Sequence, residues 1–347
     1  MMSDRSTTHE GRKEAQLLIC MHKGVQANGI TTGFERYRLV HQALPEIDWQ
    51  EVDLSIDLLG RRLQVPIVIA GMTGGCRLGS EINRNLALAA QHLGLAMGVG
   101  SQRAAIMDPN LAPTYRVRQY APGILLLGNL GAVQLNGEFG LAECRQAVDM
   151  IEADGLCLHL NGLQEMQQAQ GNRNFRGLGE RIGEICQQLG APVVAKEVGW
   201  GISREAATAL VKSGVSAIDV SGAGGTSWYV VERLSAGVAR EEAERSPFAA
   251  WGIPTAESLE QAVAVAGAVP IIASGGIRNG VDAAKALALG ASAVALAQPL
   301  LQPAAISAEA VIAHLEQLIL ELRTTMFCLG AQNVAALRGT PRLAKIG

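Results

Sequence analysis

The chain has 347 residues, 48% of them hydrophobic, and a formal net charge of −3. That length allows one large α/β barrel or two medium domains, and the charge balance, with no basic run interleaved with aromatics, argues against a nucleic-acid partner. The apolar stretches are too short and too broken to cross a membrane, and the polar start, Met1–Gly11, has no signal-peptide core, so a cytoplasmic protein is expected. Residues 1–65 precede the first apolar run and form an N-terminal extension that must pack outside the main body or reach over it. Eight apolar runs then follow: Pro66–Ala70, Leu95–Val99, Ile124–Leu127, Gly155–Leu158, Pro192–Ala195, Ala217–Val220, Pro270–Ala273 and Ala293–Leu296. Their continuous apolarity suits strands covered on both faces. Segments with helical spacing lie between them, among them Ser80–Leu93, Glu143–Ala153 and Val281–Leu289, the last opened by Asp282 and closed by Gly290.

Eight β/α units favour a (β/α)8 barrel over residues 66–330, with a C-terminal tail at 331–347. The competing reading is an open doubly wound sheet plus a second domain. No Gly-x-Gly-x-x-Gly follows the first strand to support it. The stretch after the sixth strand, 222–269, is long and holds Trp228, Tyr229, Phe248 and Trp251. It reads as an inserted hairpin, a lid or a subunit contact. The six cysteines, Cys20, Cys76, Cys144, Cys157, Cys186 and Cys328, are scattered and read as reduced structural thiols.

In such a barrel the loops after the strands build the site. Every strand here ends in glycine or polar groups. The ends are Gly71-Met72-Thr73, Ser101-Gln102-Arg103, Asn129, His159 to Glu165, Lys196-Glu197, Ser221 to Thr226, Ser274 to Arg278, and Ala297-Gln298. Gly275-Gly276-Ile277-Arg278 reads as a phosphate cradle, because glycines admit backbone N–H groups and the next helix start adds its positive end. Lys196 is open to three roles: a Schiff base, a partner for a buried carboxylate, or a counter-charge to an anionic ring. Met72-Thr-Gly-Gly75 leaves room for a flat ring, Asn129 can bond its edge, and with Lys196 they suggest a flavin mononucleotide pocket. Arg12-Lys13 and Ser101-Gln102-Arg103 suit a second anion such as a diphosphate, although Arg12-Lys13 also reads as a solvated tail. Glu165 suits Mg2+ beside a diphosphate, or simply a first helical turn. His159 is either a site residue or a satisfied core histidine.

Taken together, Met72-Thr-Gly-Gly75, Gly100-Ser-Gln-Arg103, Asn129-Leu-Gly131, His159-Leu-Asn-Gly-Leu-Gln-Glu165, Lys196-Glu-Val-Gly199, Ser221-Gly-Ala-Gly-Gly-Thr226 and Ser274-Gly-Gly-Ile-Arg278 resemble type 2 isopentenyl diphosphate isomerase. The likeness runs from about Arg12 to the last strand. It implies interconversion of isopentenyl and dimethylallyl diphosphate with no net redox change. It also implies FMN reduced by NADPH, Mg2+, a homotetramer or homo-octamer, and no nucleic-acid or membrane partner. The reduced flavin would exchange a proton with the double bond. By the same likeness Gln164 acts on the substrate, His159 and Asn161 hold diphosphate, and Glu165 holds Mg2+. Arg12, Lys13, Ser101, Gln102 and Arg103 grip the substrate. Gly71, Met72, Thr73, Ser101, Asn129, Lys196, Ser221, Thr226, Gly275, Gly276, Ile277, Arg278, Ala297 and Gln298 hold FMN.

Two positions depart from the family pattern. Gln16 stands where members often carry His, and Gly162 where many carry Pro. Gln16 can donate a hydrogen bond but cannot be cationic. Single motifs are shared with FMN-dependent 2-hydroxyacid oxidases, but that chemistry needs a late His base, and after the fifth strand the chain has no His until His314. A non-catalytic flavin-binding protein is the third reading, against which the Gln164-Glu165 pair counts.

Overall fold

The computed structural model describes residues 9–168 and 171–346. Eight parallel strands close into a barrel: β1 (Ile67–Ile69), β2 (Ala96–Gly98), β3 (Leu126–Gly131), β4 (Gly155–Leu160), β5 (Val193–Glu197), β6 (Ala217–Asp219), β7 (Ile271–Ser274) and β8 (Ala293–Leu296). Each bonds to the next, and β8 returns to β1 through Val294 opposite Ile67. The alternation hidden in the apolar runs is now visible. Val68, Ala96, Leu127, Cys157, Val194, Ala217, Ile272 and Ala295 fill the barrel interior. Ile67, Met97, Leu126, Leu156, Ala195, Ile218, Ala273 and Val294 face the helical ring. Both faces are dry, which is why the runs look uninterrupted.

Three strands extend further than their apolar runs. The third starts at Leu126 and runs to Gly131, the fourth continues to Leu160 and the fifth to Glu197. Asn129, His159 and Lys196 therefore stand on strands and not in the loops after them, held in register with neighbours on either side. Backbone pairing carries these polar positions because their side chains find partners at the mouth, a feature hydrophobic periodicity cannot register.

The helix expected at Val281–Leu289 spans Gly280–Ala288. Its cap is Asn279, whose side chain accepts from Asp282 N, so Asp282 sits in the first turn and does not open the helix. The long stretch after β6 is not a hairpin. Helices form over Trp228–Ser235, Arg240–Arg245 and Thr255–Ala266. Ser227 starts the first by accepting from Val230 N, and Tyr229, Phe248 and Trp251 pack ring to ring at 5.8 and 5.9 Å. Paired edges would have scattered these aromatics; helical packing clusters them.

The N-terminal extension works at both ends of the barrel. The helix His9–His22 lies across the mouth. A hairpin, Ile56–Leu58 with Arg61–Leu63, plugs the base with Leu58 and Leu63. The strand Tyr37–Leu39 pairs antiparallel with Leu343–Lys345, tying the extension to the C-terminal segment. Under the base, Asp154 takes Arg61 at 2.5 Å, Arg118 at 2.8 Å and the N–H of Leu126 at 2.8 Å. Burial pushes its pKa up, but the Leu126 N–H and the two guanidinium groups more than offset this, so the carboxyl lies below its ordinary value of 3.8. A depressed carboxyl adds stability above its unfolded pKa and loses it as pH falls through its folded one. Asp154→Asn is accordingly expected to lower stability at neutral pH and to flatten the acid limb below about pH 4, as read by urea midpoints across pH 2–7.

Candidate active site

Two adjoining cavities open at the C-terminal mouth. The first gathers residues from all eight strand ends, and the second is lined by cations, amides and a carboxylate, a concave setting of the kind small-molecule sites occupy. Gly71, Met72, Thr73, Ser101, Asn129, Lys196, Ser221, Thr226, Gly275, Gly276, Ile277, Arg278, Ala297 and Gln298 all line the first. Arg12, Lys13, Ser101, Arg103, His159, Asn161, Gln164 and Glu165 line the second. Lys13, Gln16, Ser101, His159 and Gln164 face both.

Bare backbone shapes the first cavity at two places. At the ends of β1 and β2, a Cβ on Gly71 would fall 2.1 Å from the Val99 carbonyl oxygen. At the far end, the loops after β6 and β7 meet backbone to backbone. A Cβ on Gly225 would lie 2.4 Å from Gly276 N, and Gly276 itself has φ 75°. Behind them starts the helix Gly280–Ala288, which brings the positive end of its dipole to this corner. Arg278 Nη2 donates to Gln26 Oε1 at 2.9 Å, and Gln298 Nε2 donates to the Cys20 carbonyl at 3.0 Å, so the N-terminal segment braces the cradle. Burial lowers the Arg278 pKa from its ordinary value.

The strand-borne groups form a row. His159 Nδ1 lies 2.8 Å from Asn129 Oδ1, and His159 is in register with Lys196. Lys196 Nζ donates to the Glu197 carbonyl at 2.7 Å and to Ser221 Oγ at 3.3 Å, with Asp219 Oδ2 at 3.8 Å. The Glu197 carboxylate points elsewhere and caps the following loop, accepting from the N–H groups of Val198, Gly199 and Trp200 at 2.5–2.6 Å. Burial, aided by the charges of Lys13 and Lys196, drives the His159 pKa down to about 3. The resting imidazole is neutral. With Asn129 Oδ1 accepting from Nδ1–H, Nε2 carries a lone pair, so His159 is not a standing cation for an anion. Lys13 is lowered by burial and by Arg12 beside it, with Glu232 pulling the other way.

Sequence reasoning missed Glu232. It comes from the helix Trp228–Ser235, is buried, and accepts from Arg12 Nη2 (3.0 Å), Gln16 Nε2 (3.1 Å), Gln164 Nε2 (2.8 Å) and Gln168 Nε2 (3.1 Å). A lone Glu four residues after a Trp in an apolar run was the available signal. With a hairpin, a lid and a subunit contact all open for that stretch, the sequence did not say which way the Glu faces. Arg12 is thus no solvated tail. Gln16 spends its donor on Glu232. Asn161 Nδ2 donates to Gln164 Oε1 (3.1 Å) and Glu165 Oε1 (2.9 Å), while Asn172 N donates to Glu165 Oε2 (2.7 Å).

Gln102 does not belong to the substrate set. Its side chain turns away from both cavities and is fully buried: Nε2 donates to the Ala147 carbonyl and Oε1 accepts from Asn129 N, each at 2.8 Å. Its role is to hold β3 against the helix Leu141–Ile151. Gly162 opens the helix Gly162–Gln167, and the preceding Asn161 has ψ 43°. Proline would press Asn161 away from that ψ, so the glycine suits this turn.

The profile of the FMN-dependent dehydrogenase family matches residues 20–112 and 143–343. A closed parallel barrel with a glycine-lined cavity at its mouth thus defines a flavoprotein of the FMN-dependent dehydrogenase family. The chain is 48% identical to an isopentenyl-diphosphate delta-isomerase of Nostoc sp., covering 99% of this chain and 98% of that one. It is 51% identical to one of Synechococcus sp. over 94% of each. The chain belongs to the isopentenyl-diphosphate delta-isomerase family and is an enzyme. Among solved structures it is similar to a mandelate oxidase variant (TM-score 0.64, 21% identity, 94% of each chain). It is also similar to a Pediococcus acidilactici protein titled a lactate oxidase (TM-score 0.68, 19% identity, 97% of this chain and 93% of that one). Those two speak for the fold alone.

Two stability measurements follow. Gln102→Leu strands the buried Asn129 N–H and takes a second donor from the Ala147 carbonyl, at an expected cost of about 1–3 kcal/mol in urea unfolding; an unchanged midpoint would show that these bonds do not hold β3 in place. Gly162→Ala meets only Phe175 at 3.8 Å and is expected to stabilise by about 0.4–1 kcal/mol, with the helix start unaltered by amide exchange.

Proposed function

We propose that the chain interconverts isopentenyl and dimethylallyl diphosphate, with FMN in the first cavity, the substrate diphosphate in the second, and Gln164 where they meet. The supporting observation is that the two cavities share Ser101, His159 and Gln164. A ring-and-phosphate compartment beside one lined by cations and amides is what flavin chemistry on an anionic substrate requires.

The residues present fit FMN. Gly71, Gly225 and Gly276 keep side chains out of the path of a ring and a phosphate. Gly71, Met72, Thr73, Ser101, Asn129 and Lys196 would hold the ring. Ser221, Thr226, Gly275, Gly276, Ile277, Arg278, Ala297 and Gln298 would hold the sugar chain and phosphate. Reduced FMN, when bound, supplies the group that exchanges a proton with the double bond. The chain supplies position and charge. Arg12, Lys13, Ser101 and Arg103 grip the diphosphate, and its charge favours protonation of His159 at Nε2, turning a lone pair into a donor. Gln164 is fixed from both ends, by Asn161 on its carbonyl and Glu232 on its amide, and so presents one geometry to the reacting carbons. Leu17, Trp228 and Leu301 add apolar wall, which excludes water from them.

The second cavity also fits Mg2+. Asn161 Oδ1 is buried without a partner, and each Glu165 oxygen accepts one N–H and keeps further lone pairs. Among the described residues no cluster of three or more His, Cys, Asp or Glu side chains gathers for a metal. A hard cation here takes most of its ligands from phosphate and water, as Mg2+ does. The same reading carries NADPH as reductant of the flavin, a cytoplasmic location, and a homotetramer or homo-octamer. Exposed Phe248 and Trp251, packed together on the inserted segment, support contact between copies. The oxidase reading lacks its base, since no His lies in Ser221–Thr226 after β6 and His314 sits in the helix Ala308–Cys328.

The test is isomerisation of isopentenyl diphosphate by FMN-loaded, NADPH-reduced protein with Mg2+. Dimethylallyl diphosphate is expected; its absence with full flavin loading sinks the proposal. Gln164→Leu is expected to lower turnover about 10²–10⁴-fold, the scale of a lost acid–base contribution. Glu165→Gln is expected to raise the Mg2+ requirement about 10–100-fold.

A further inference from the structure

Behind Lys196 stands a carboxylate that faces neither cavity. Asp219 is the last residue of β6, in register with Lys196 on β5, and is buried. Its Oδ2 lies 3.8 Å from Lys196 Nζ. Its Oδ1 accepts from Ser274 Oγ at 2.5 Å and from Ser221 N at 3.2 Å. One carboxylate thereby joins the ends of three strands. Ser221 has φ 37°, a left-handed backbone that a serine keeps only when its surroundings impose it. Ser221 Oγ in turn accepts from Lys196 Nζ. The ammonium is therefore aimed from below by a closed ring of contacts: Asp219 to Ser221, Ser221 to Lys196, Lys196 to Asp219.

Nothing in the isomerisation uses Asp219 directly, yet its charge bears on the one cation set against the flavin ring. A positive charge beside the ring favours its reduced, anionic form, and a negative charge next to that cation subtracts from the effect. We propose that Asp219 is a positioning residue that sets how much of the Lys196 charge reaches the bound flavin, and so how strongly the protein prefers reduced over oxidised FMN. The proposal rests on Lys196 lying against the ring.

Asp219→Asn keeps an oxygen for Ser221 N and Ser274 Oγ while removing the charge. The measurement is the affinity of the protein for reduced and for oxidised FMN, together with the midpoint potential of the bound flavin. The expected result is a roughly tenfold rise in the ratio favouring reduced FMN, equal to about +30 mV for the two-electron couple. Asp219→Glu, which keeps the charge, is expected to leave the ratio within about threefold of the parent. Lys196→Met is expected to shift the ratio towards oxidised FMN and to shrink the effect of Asp219→Asn in the double variant. A neutral substitution that leaves the potential unmoved, or moves it equally in the Lys196→Met background, overturns the proposal. A null result for Lys196→Met itself would instead remove the lysine from the ring, a separate failure of the site reading beneath it.

Discussion

Closure of eight parallel strands makes every second side chain point into the barrel, and at the mouth that rule puts polar groups shoulder to shoulder. His159, Lys196 and Asp219 come from three successive strands and form one row, because backbone pairing sets their spacing before any side chain is chosen, and Asn129, two residues short of that row on β3, reaches His159 through its side chain. The chemistry of the site is inherited from this register. His159 is held neutral by burial and by the two lysines it faces. Lys196 is held in place by a carbonyl, a hydroxyl and a carboxylate. Rigid strands carry the part that must not move, and loops and helices carry the part that meets the ligand.

The mouth is finished by three segments distant in sequence: the helix His9–His22, the turn and helix after β4, and the helix Trp228–Ser235. Glu232 joins them. It accepts from residues of the first and second while standing on the third. A buried carboxylate with four donors is well satisfied, and removing it would leave each donor searching for a partner. The inserted stretch after β6 thus contributes chemistry as well as cover.

Much of this was legible before any coordinates, and unevenly so. The apolar runs identified all eight strands, since a strand buried on both faces has little option but to be apolar. Glycines at strand ends pointed to the cradle, since a close approach of backbones admits little else. What failed has a common cause. Gln102 and Glu232 are polar residues whose role depends on where the side chain turns, and neither spacing nor composition encodes that. Gln102 sits between two cavity-lining neighbours and points the other way because Ala147 and Asn129 offer it two bonds in the core. Asp219 falls inside the apolar run of β6 and takes its meaning from Lys196 beside it, a contact the run does not encode.

The contact between Arg12 and Glu232 has a consequence for how an anion enters. Glu232 Oε2 takes one N–H of the guanidinium and leaves its other donors free to meet an anion. The same carboxylate offsets the like-charge crowding of Arg12 and Lys13, and the donors stay oriented. An anion that reaches Arg12 thus meets a side chain already fixed at one corner, and less of its freedom is lost on contact.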